Sequence, residues 1–493
     1  MQQFILSIDA GTTSSRAIIF DQLGRQVAMA QHEFTQYFPE KAWVEHDAME
    51  IWETQLKAIH QVMAQFNVKT EEIAAVGITN QRETTVIWDR VTGQPVHKAI
   101  VWQDRRTADR CTELTKNGHD QIFLDKTGLV LDAYFSGTKV QWILDSDPEI
   151  RRRAQVGELA FGTIDTWLIW QLTGGQTHAT DVTNASRTLM YNIHELSWDS
   201  ELLDLLNVPE SLLPKVCASS EIVGHTSSAI LGAEIPIAGI AGDQQAALFG
   251  QLCLTPGSVK NTYGTGCFCI MNTGQTAVVS KNRMLTTIAW KIGDEVTYAI
   301  EGSVFTAGAL IQWLRDQLQM IGQAPEIEAL AQTESDSDGV TFIPALSGLG
   351  APYWDPHARG AIMGLTRGSS RAHIARAALE GIAFQVADVA SVMEEDSGRK
   401  LETLQADGGA SANGILMQTQ ADLLGVPVRC ARIAETTALG AAYLAGLAVG
   451  FWGSKEELEE GWSESRRFEP ASNSEDRKSK MQGWRKNVAR VRD

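Results

Sequence analysis

The chain has 493 residues, of which 44% are hydrophobic and 21% are charged, a composition typical of a globular protein that folds in water. This length exceeds that of a typical domain with a single hydrophobic core, so we expect two large lobes or domains. The formal net charge of −18 argues against nucleic acid or an anionic membrane surface as the main partner. An anionic substrate would therefore need a local basic site.

The cysteines and the apolar segments indicate the compartment. None of the six cysteines forms a CxxC pair or a zinc-binding spacing, so the sequence predicts reduced thiols. The N-terminus shows no signal-peptide pattern, and no run approaches 18 apolar residues. We therefore expect a cytoplasmic protein that does not insert into a membrane.

The first stretch with a chemical meaning is Phe4–Phe20, which has the pattern of a strand, a polar turn and a second strand. The first strand ends at Asp9, and the Gly/Thr/Ser turn that follows leads to Arg16. A carboxylate that faces backbone N–H groups and hydroxyls suits a Mg²⁺-bound polyphosphate. A Ser/Thr-rich hairpin with a solvated tip has the same pattern, and the turn alone leaves both interpretations open.

The following segments predict an α/β protein. Gln26–Phe34 has the pattern of a third strand, and Ile73–Thr79 that of a buried one. Between them, Asp47–Phe66 has a helical apolar period, with Asp47 as the N-cap and Glu50 at capping-box spacing. Three strands followed by a helix and another strand predict a mixed sheet.

A polar cluster, Asn80–Thr85, follows directly after that buried strand. It places Arg82 beside Glu83 at a strand end, where α/β sheets usually bind ligands. The alternative is an ion pair on the protein surface.

A second candidate lies in Ile235–Gly250, which has the pattern of a strand followed by a helix rich in small residues. Asp243 stands at the junction. An Asp at this place is typical of a helix N-cap, which the residues alone favour, and the competing role is a general base. The preceding stretch, Ser219–Leu231, has the composition of a polar loop.

The second half repeats the pattern of the first. Ser258–Tyr263 predicts a strand that enters a Gly/Thr turn, and the chain then continues extended. Two such hairpins suggest a pseudo-duplicated fold that holds phosphates between its lobes. Further helices are predicted over Phe305–Arg315, His373–Val392 and Thr437–Gly450, and a strand over Leu401–Ala406.

Several motifs together resemble the FGGY carbohydrate kinases, which belong to the sugar kinase, Hsp70 and actin superfamily. The resemblance covers nearly the whole chain. The turn Asp9–Arg16 and the segments Tyr134–Ser146 and Gly360–Glu380 look like its phosphate turn and its two signatures. Five further motifs are similar to those of members that phosphorylate glycerol: Asn80–Thr85, Val101–Thr107, Ala241–Gln245, Asn261–Phe268 and Ser347–Asp355.

The resemblance implies a role for each candidate residue. Those implied at the polyol site are Arg82, Glu83 and Tyr134 as hydroxyl partners, Trp102 and Phe268 as hydrocarbon cover, Gln244 as a further contact and Asp243 as the general base. Those implied around ATP are Thr12, Thr13, Ser14, Arg16 and Thr265 at the phosphates, Gly308, Gln312, Gly409 and Asn413 along the nucleotide, and Asp9 on Mg²⁺, directly or through water.

The resemblance also implies the architecture: two actin-like (ribonuclease H-like) lobes, each a mixed sheet flanked by helices, with the active site in the cleft between them. Residues 1–250 would form the lobe with the polyol site, and residues 251–493 the lobe with the nucleotide site. The implied reaction converts glycerol and ATP into sn-glycerol 3-phosphate and ADP. The implied assembly is a homo-oligomer, a dimer or a tetramer.

Two alternatives stay open. Another FGGY kinase, acting on xylulose or gluconate, would share the turn and both signatures but differ at the polyol residues. An actin-like or chaperone-like ATPase would need no polyol site at all.

The resemblance implies one difference in regulation. Some bacterial family members are inhibited by fructose 1,6-bisphosphate at a Gly-Thr-Arg loop, where this chain has Gly232-Ala233-Glu234. Ala233 has no side-chain donor and Glu234 is negative, so we expect no inhibition by this ligand.

Overall fold

A computed structural model describes residues 3–355, 357–433 and 435–492. Residues 1, 2 and 493, at the ends of the two predicted lobes, lie outside this description. No helix within the described ranges is long and apolar enough to cross a membrane.

Strands and helices are interspersed along the chain, as the sequence predicts for an α/β protein. The strands are β1 (Phe4–Ala10), β2 (Ser14–Asp21), β3 (Gln26–Glu33), β4 (Glu45–His46), β5 (Ile73–Asn80), β6 (Val86–Asp89), β7 (Ala99–Ile100), β8 (Leu159–Gly162), β9 (Ala179–Asp181), β10 (Tyr191–Asn192), β11 (Ser197–Trp198), β12 (Lys215–Cys217), β13 (Ser220–His225), β14 (Pro236–Gly242), β15 (Val259–Tyr263), β16 (Cys267–Gly274), β17 (Leu285–Ile292), β18 (Glu295–Val304), β19 (Thr341–Ile343), β20 (Ala361–Met363), β21 (Leu404–Asp407), β22 (Val428–Ala431) and β23 (Glu464–Phe468). The α-helices are α1 (Ala48–Phe66), α2 (Ala108–Lys116), α3 (Asp120–Thr127), α4 (Ser136–Ser146), α5 (Pro148–Gln155), α6 (Ile164–Leu172), α7 (Val182–Ala185), α8 (Ser200–Leu206), α9 (Ser228–Leu231), α10 (Asp243–Gly250), α11 (Gly308–Asp316), α12 (Glu326–Ala331), α13 (Arg371–Ser397), α14 (Gly414–Leu424), α15 (Thr436–Val449), α16 (Lys455–Gly461) and α17 (Ser474–Val488).

The predicted duplication is present in the sheet topology. In the first half the order is β3-β2-β1-β5-β14, with two antiparallel pairs followed by two parallel pairs. In the second half β18-β16-β15-β21-β22 repeats the same sequence of pair directions. The two sets join through β13 and β17, which share a single residue pair, Ser220 with Ile292. The α/β fold with mixed sheets is therefore confirmed.

Helices cover both faces of the first-half sheet. Leu6 and Ile8 of β1 pack with α1 in one hydrophobic cluster, whereas Ile5 packs with α15 in another. Because side chains alternate along a strand, one strand can serve both clusters.

α15 comes from the second half of the chain and yet packs on strands of the first half. Gly77 of β5 allows this close approach, since a Cβ there would lie 2.3 Å from the carbonyl oxygen of Ala441. The Ser7 hydroxyl of β1 also donates to the carbonyl of Ala438. A division at residues 250 and 251 stays a prediction.

Several local predictions are confirmed and others are wrong. Asp47 caps α1 by accepting N–H bonds from Met49 and Glu50. The expected capping box does not form, because the carboxylate of Glu50 instead accepts bonds from the backbone and hydroxyl of Thr35.

Two further boundaries differ from expectation. Ser219–Leu231 is not a loop: it contains β13 and α9, since the strand finds its partner in β14, downstream in the chain. The helix expected over Phe305–Arg315 begins only at Gly308, because β18 extends to Val304. The six cysteines are all free, as predicted, and the structure shows that all six are buried.

Candidate active site

Three neighbouring parallel strands bring the main candidate residues together. Asp9 lies near the carboxyl end of β1, Arg82 follows β5, and Asp243 follows β14. These strands are aligned so that Asn80 pairs with both Ala10 and Gly242. Residues distant in sequence therefore share one edge of the sheet, the usual ligand-binding edge of α/β sheets.

Arg82 lies at the centre of the predicted polyol site. Its Nε lies 3.2 Å from Oδ1 of Asp243, and its two Nη atoms contact the carboxylate of Glu301 at 2.6 and 3.1 Å. Arg82 and the adjacent Glu83 are almost fully buried, with 2% and 1% exposure. The alternative of a surface ion pair is therefore wrong.

Glu83 adopts a left-handed backbone conformation, with φ of 60°. This conformation is uncommon for a residue other than glycine. Its carboxylate accepts a bond of 2.7 Å from Nε of Arg187, which is also fully buried. Sequence reasoning missed Arg187 and Glu301, because nothing in their local sequence marks them.

Asp243 does not cap its helix. The N-cap of α10 is Gly242, and Asp243 is the first helical residue, with 33% of its side chain exposed. Its carboxylate accepts the N–H of Gln244 at 2.7 Å. Burial raises the pKa of Asp243, while Arg82 and Lys260 oppose the shift without cancelling it. A partly buried carboxylate of raised pKa suits proton transfer.

The pKa values of Glu83 and Glu301, two buried acids beside Arg82, shift in opposite directions. Burial raises the pKa of Glu83 despite Arg82 and Arg187. Burial also opposes ionisation of Glu301, but Arg187 and Arg82 outweigh it and lower the pKa of Glu301 to about 2. Glu301 is therefore a fixed negative charge across the ordinary pH range.

Aromatic residues line one side of this cluster. The rings of Trp102 and Tyr134 meet edge to face at 5.6 Å, and the Tyr134 hydroxyl accepts a bond of 3.3 Å from Arg82. Indole Nε1 of Trp102 donates to the hydroxyl of Thr12 at 3.0 Å. This bond connects the predicted polyol site to the phosphate turn. Phe268 is half-buried on β16, where it pairs with Ser303 of β18.

Gln244 has a charged partner that the sequence did not indicate. The ammonium of Lys260, a fully buried residue of β15, donates to the side-chain oxygen of Gln244 and to the hydroxyl of Thr262. Burial lowers the pKa of Lys260, although Asp407, Asp243 and Glu301 oppose the shift. Lys260 places a second-half cation against the helix that begins with Asp243.

The first turn offers unused backbone donors. The N–H groups of Thr12 and Thr13 meet no acceptor in the described part of the chain. The Ser14 hydroxyl is buried and accepts a bond of 3.0 Å from the amide of Gln31. Among the predicted phosphate-binding residues of this turn, Thr12 and Thr13 therefore present free backbone donors, whereas the Ser14 hydroxyl already accepts a bond.

Arg16 is held between two carboxylates. It lies 3.6 Å from Asp9 and 2.5 Å from Glu435, a residue of the second half. Burial raises the pKa of Asp9, and Arg16 opposes the shift. Asp9 is the single acid predicted on Mg²⁺, and the described residues contain no group of three or more His, Cys, Asp or Glu that could hold a metal. One carboxylate fits Mg²⁺, which commonly keeps waters and takes further ligands from phosphates.

The second turn has the same kind of free donors. Across the described ranges, the N–H groups of Thr265 and Gly266 have no acceptor. Gly308 begins α11 beside this turn, where a Cβ would lie 2.6 Å from the carbonyl oxygen of Gly264. Only glycine permits this approach, which places the N-terminus of α11 against the turn. Gln312 lies on the exposed face of the same helix.

The remaining nucleotide candidates lie after β21. Gly409 is exposed, and a Cβ there would meet nothing within 4 Å, so this backbone faces open space. Asn413 caps α14 by accepting the N–H of Leu416 at 2.9 Å. The amide of Asn413 therefore has a structural role.

Comparison with known proteins identifies the family. The N-terminal domain profile of the FGGY family of carbohydrate kinases matches residues 4–250, and the C-terminal domain profile matches residues 259–449. The chain belongs to the FGGY family of carbohydrate kinases. This FGGY chain is also 59% identical to a glycerol kinase of Caldanaerobacter subterraneus subsp. tengcongensis, over 100% of the chain and 99% of that protein. It is 58% identical to a glycerol kinase of Deinococcus radiodurans, over 100% of the chain and 98% of that protein.

Solved structures of other kinases share the fold. The structure of Plasmodium falciparum glycerol kinase with ADP superposes with a TM-score of 0.94 at 36% identity, covering 99% of this chain and 98% of that one. A ligand-bound xylulose kinase of Lactobacillus acidophilus has a TM-score of 0.87 at 23% identity, covering 98% and 96%. The second comparison shows the fold alone.

Proposed function

We propose that this FGGY chain transfers the γ-phosphoryl group of ATP to glycerol, giving sn-glycerol 3-phosphate and ADP. The observation that carries the proposal is full-length identity of 58–59% to glycerol kinases. The cluster of the buried residues Arg82 and Glu83 with the partly exposed Asp243 supports it, because the hydroxyl groups of a polyol need both donors and acceptors.

In the proposed reaction, a terminal hydroxyl of glycerol attacks the γ-phosphorus, and its proton passes to the carboxylate of Asp243. ADP leaves as the bond between the β,γ-bridging oxygen and the γ-phosphorus breaks. Glu83 accepts and Arg82 donates at the polyol hydroxyls, together with Tyr134 and Gln244, while Trp102 and Phe268 cover the carbon chain. Phosphoryl transfer depends mainly on such alignment and on charge neutralisation.

The phosphates of ATP would lie between the two turns. The free N–H groups of Thr12, Thr13 and Thr265 suit phosphate oxygens, and Arg16 supplies positive charge. Gly308, Gln312, Gly409 and Asn413 would line the rest of the nucleotide. The Ser14 hydroxyl, which accepts the bond from Gln31, would donate its own O–H to a phosphate.

We assign Mg²⁺ to Asp9, directly or through water. Bound to phosphate oxygens, the ion would neutralise charge on the β- and γ-phosphates. Arg16 lies close enough to orient the Asp9 carboxylate. The proposal further includes a cytoplasmic homo-oligomer, a dimer or a tetramer, which sedimentation of the purified chain would test.

A coupled assay of ADP release tests the proposed function. We expect turnover that depends on glycerol, some activity with dihydroxyacetone, and poor activity with xylulose or gluconate, because a closed three-carbon site leaves no room for a longer chain. Equal activity on a five-carbon sugar would instead assign the chain to another branch of the family. ATP turnover independent of any polyol would indicate a non-kinase ATPase.

A further inference from the structure

Four buried charges form a compact cluster behind the polyol site, here called the charge quartet: Arg82, Glu83, Arg187 and Glu301. Their side chains are 0–2% exposed. Two are positive and two are negative, so the quartet is neutral as a unit. Such a cluster tolerates burial only when each charge is paired and hydrogen-bonded.

The two Nη atoms of the Arg82 guanidinium donate four hydrogen bonds, and Nε makes an ion-pair contact. Both Nη atoms donate to Glu301, at 2.6 and 3.1 Å. Nη1 also donates to Gln245 at 3.2 Å, Nη2 to the Tyr134 hydroxyl at 3.3 Å, and Nε lies 3.2 Å from Asp243. A guanidinium has five N–H donors. Arg82 thus touches two residues of the proposed polyol site with its outer donors, while its fork is occupied by Glu301.

The fork onto Glu301 fixes the plane of the guanidinium. A bidentate contact sets both the position and the rotation of the guanidinium. Each of its other partners meets only one of its nitrogen atoms. Arg187 supports the fork from the opposite side, with Nη2 at 3.0 Å from Glu301 and Nε at 2.7 Å from Glu83. The same arginine therefore holds both acids of the quartet.

Glu301 comes from the other half of the chain. It lies on β18, paired with Ile270 of β16 and Leu285 of β17, so its backbone is fixed by two antiparallel neighbours. Arg82 is 219 positions away in sequence. A rigid strand of the second half thereby orients a side chain that belongs to the polyol site of the first half.

We propose that Glu301 is a positioning residue for substrate binding: its carboxylate holds Arg82, and through Arg187 also Glu83, in the orientation that meets the polyol hydroxyls. This inference rests on the proposed function, because it takes Arg82 and Glu83 as polyol contacts. Without the carboxylate, the Arg82 fork would lose its bidentate partner and turn toward the remaining acids, Asp243 among them.

The decisive variant is Glu301→Gln, which keeps the size of the side chain and removes its charge. We expect the KM for glycerol to rise at least about tenfold, with the KM for ATP within about twofold of wild type. Glu301→Asp keeps the negative charge on a side chain that is one methylene shorter. Its KM for glycerol should therefore lie between those of the wild type and of Glu301→Gln. A matched control is Asp199→Asn, which removes a carboxylate of 6% exposure that pairs with Lys126 outside the site.

The double variant Glu301→Gln/Arg82→Lys tests whether Glu301 acts through Arg82. If it does, the effect of Glu301→Gln on glycerol KM should shrink in the Arg82→Lys background. Full additivity of the two effects would overturn the inference.

A purely structural role predicts another pattern. Loss of folded protein would lower the apparent kcat of both Glu301→Gln and Asp199→Asn and leave both KM values unchanged, and that result would refute the proposal. If Glu301→Gln does not fold, Glu301→Asp is measured in its place, and an unchanged glycerol KM would again refute it. Absence of glycerol-dependent turnover in the wild-type enzyme would mark failure of the proposed function instead.

Discussion

Arg82 Nε lies 3.2 Å from Oδ1 of Asp243, so the proposed general base and a proposed substrate contact are directly joined. The positive charge stabilises the ionised carboxylate, yet burial still leaves the pKa of Asp243 raised. Part of the charge of Arg82 is already neutralised by Glu301. The base is thereby kept basic enough to accept a proton while it stays beside an arginine.

We expect Asp243→Asn to lower kcat at least about 100-fold, the low end for a positioned general base. Glycerol should still bind, which calorimetric titration of the folded variant would measure. Near-wild-type turnover in a folded variant would remove Asp243 from the catalytic assignment. A role limited to the local bond from the N–H of Gln244 would instead leave kcat almost unchanged.

The raised pKa of Asp243 predicts the pH dependence of the reaction. The base form is lost as the pH falls through the raised value, so the acid limb of kcat/KM should lie above the ordinary aspartate pKa of 3.8. Folding stability changes with pH in the other direction from activity, because the protonated form of Asp243 is the one that suits the folded protein. The contribution of Asp243 to stability is complete below its pKa in the unfolded chain and is lost as the pH rises through its pKa in the folded protein. The advantage of Asp243→Asn in free energy of unfolding should therefore grow with pH. A pH-independent difference would contradict the assignment.

Removal of Mg²⁺ with a chelator should abolish turnover, and Asp9→Asn should raise the Mg²⁺ concentration for half-maximal activity about tenfold or more. The reason is that Asp9 is a buried carboxylate near the end of β1, just before the phosphate turn. Glycerol binding in the absence of ATP serves as the control and should not change. An unaltered Mg²⁺ dependence would show that Asp9 does not hold the ion.

Gly440→Ala should destabilise the protein by about 3 kcal/mol or more, measured by urea unfolding. A Cβ at Gly440 of α15 would lie 1.8 Å from the carbonyl oxygen of Ala246 in α10, the helix that begins with Asp243. The matched control is Gly483→Ala in α17, where a Cβ meets nothing within 4 Å. That variant should gain about 0.5–1 kcal/mol from its helical preference. Equal stability of the two variants would refute the contact.

Fructose 1,6-bisphosphate should not inhibit this enzyme. Glu234 is exposed beside Gly232, and Ala233 contributes only a backbone carbonyl, which accepts the Thr226 hydroxyl. A dianionic ligand meets a negative charge there, in a chain of net charge −18. The test is a titration at fixed glycerol, ATP and free Mg²⁺. Saturable inhibition at sub-millimolar concentration that Glu234→Arg does not strengthen would show that the site lies elsewhere.

The sequence by itself determined the features whose causes are local. The apolar run ending at Asp9, the glycine of the first turn and the cap at Asp47 act within a few residues, so their strands, turn and helix could be predicted. The repeated hairpins predicted the duplication, which the pair directions of the two strand sets confirm. Where a local rule failed, as at Glu50, a distant partner, Thr35, had taken the side chain.

Only the tertiary structure decided the environment of the proposed catalytic residues. Arg187 meets Glu83 across 104 positions and Glu301 meets Arg82 across 219, and Lys260 reaches Gln244 from a different half of the chain. No local pattern marks these residues, because a buried charge is explained by the partner it finds in space. For the same reason the pKa of Asp243 follows from burial and from Arg82, neither of which its own sequence neighbourhood specifies.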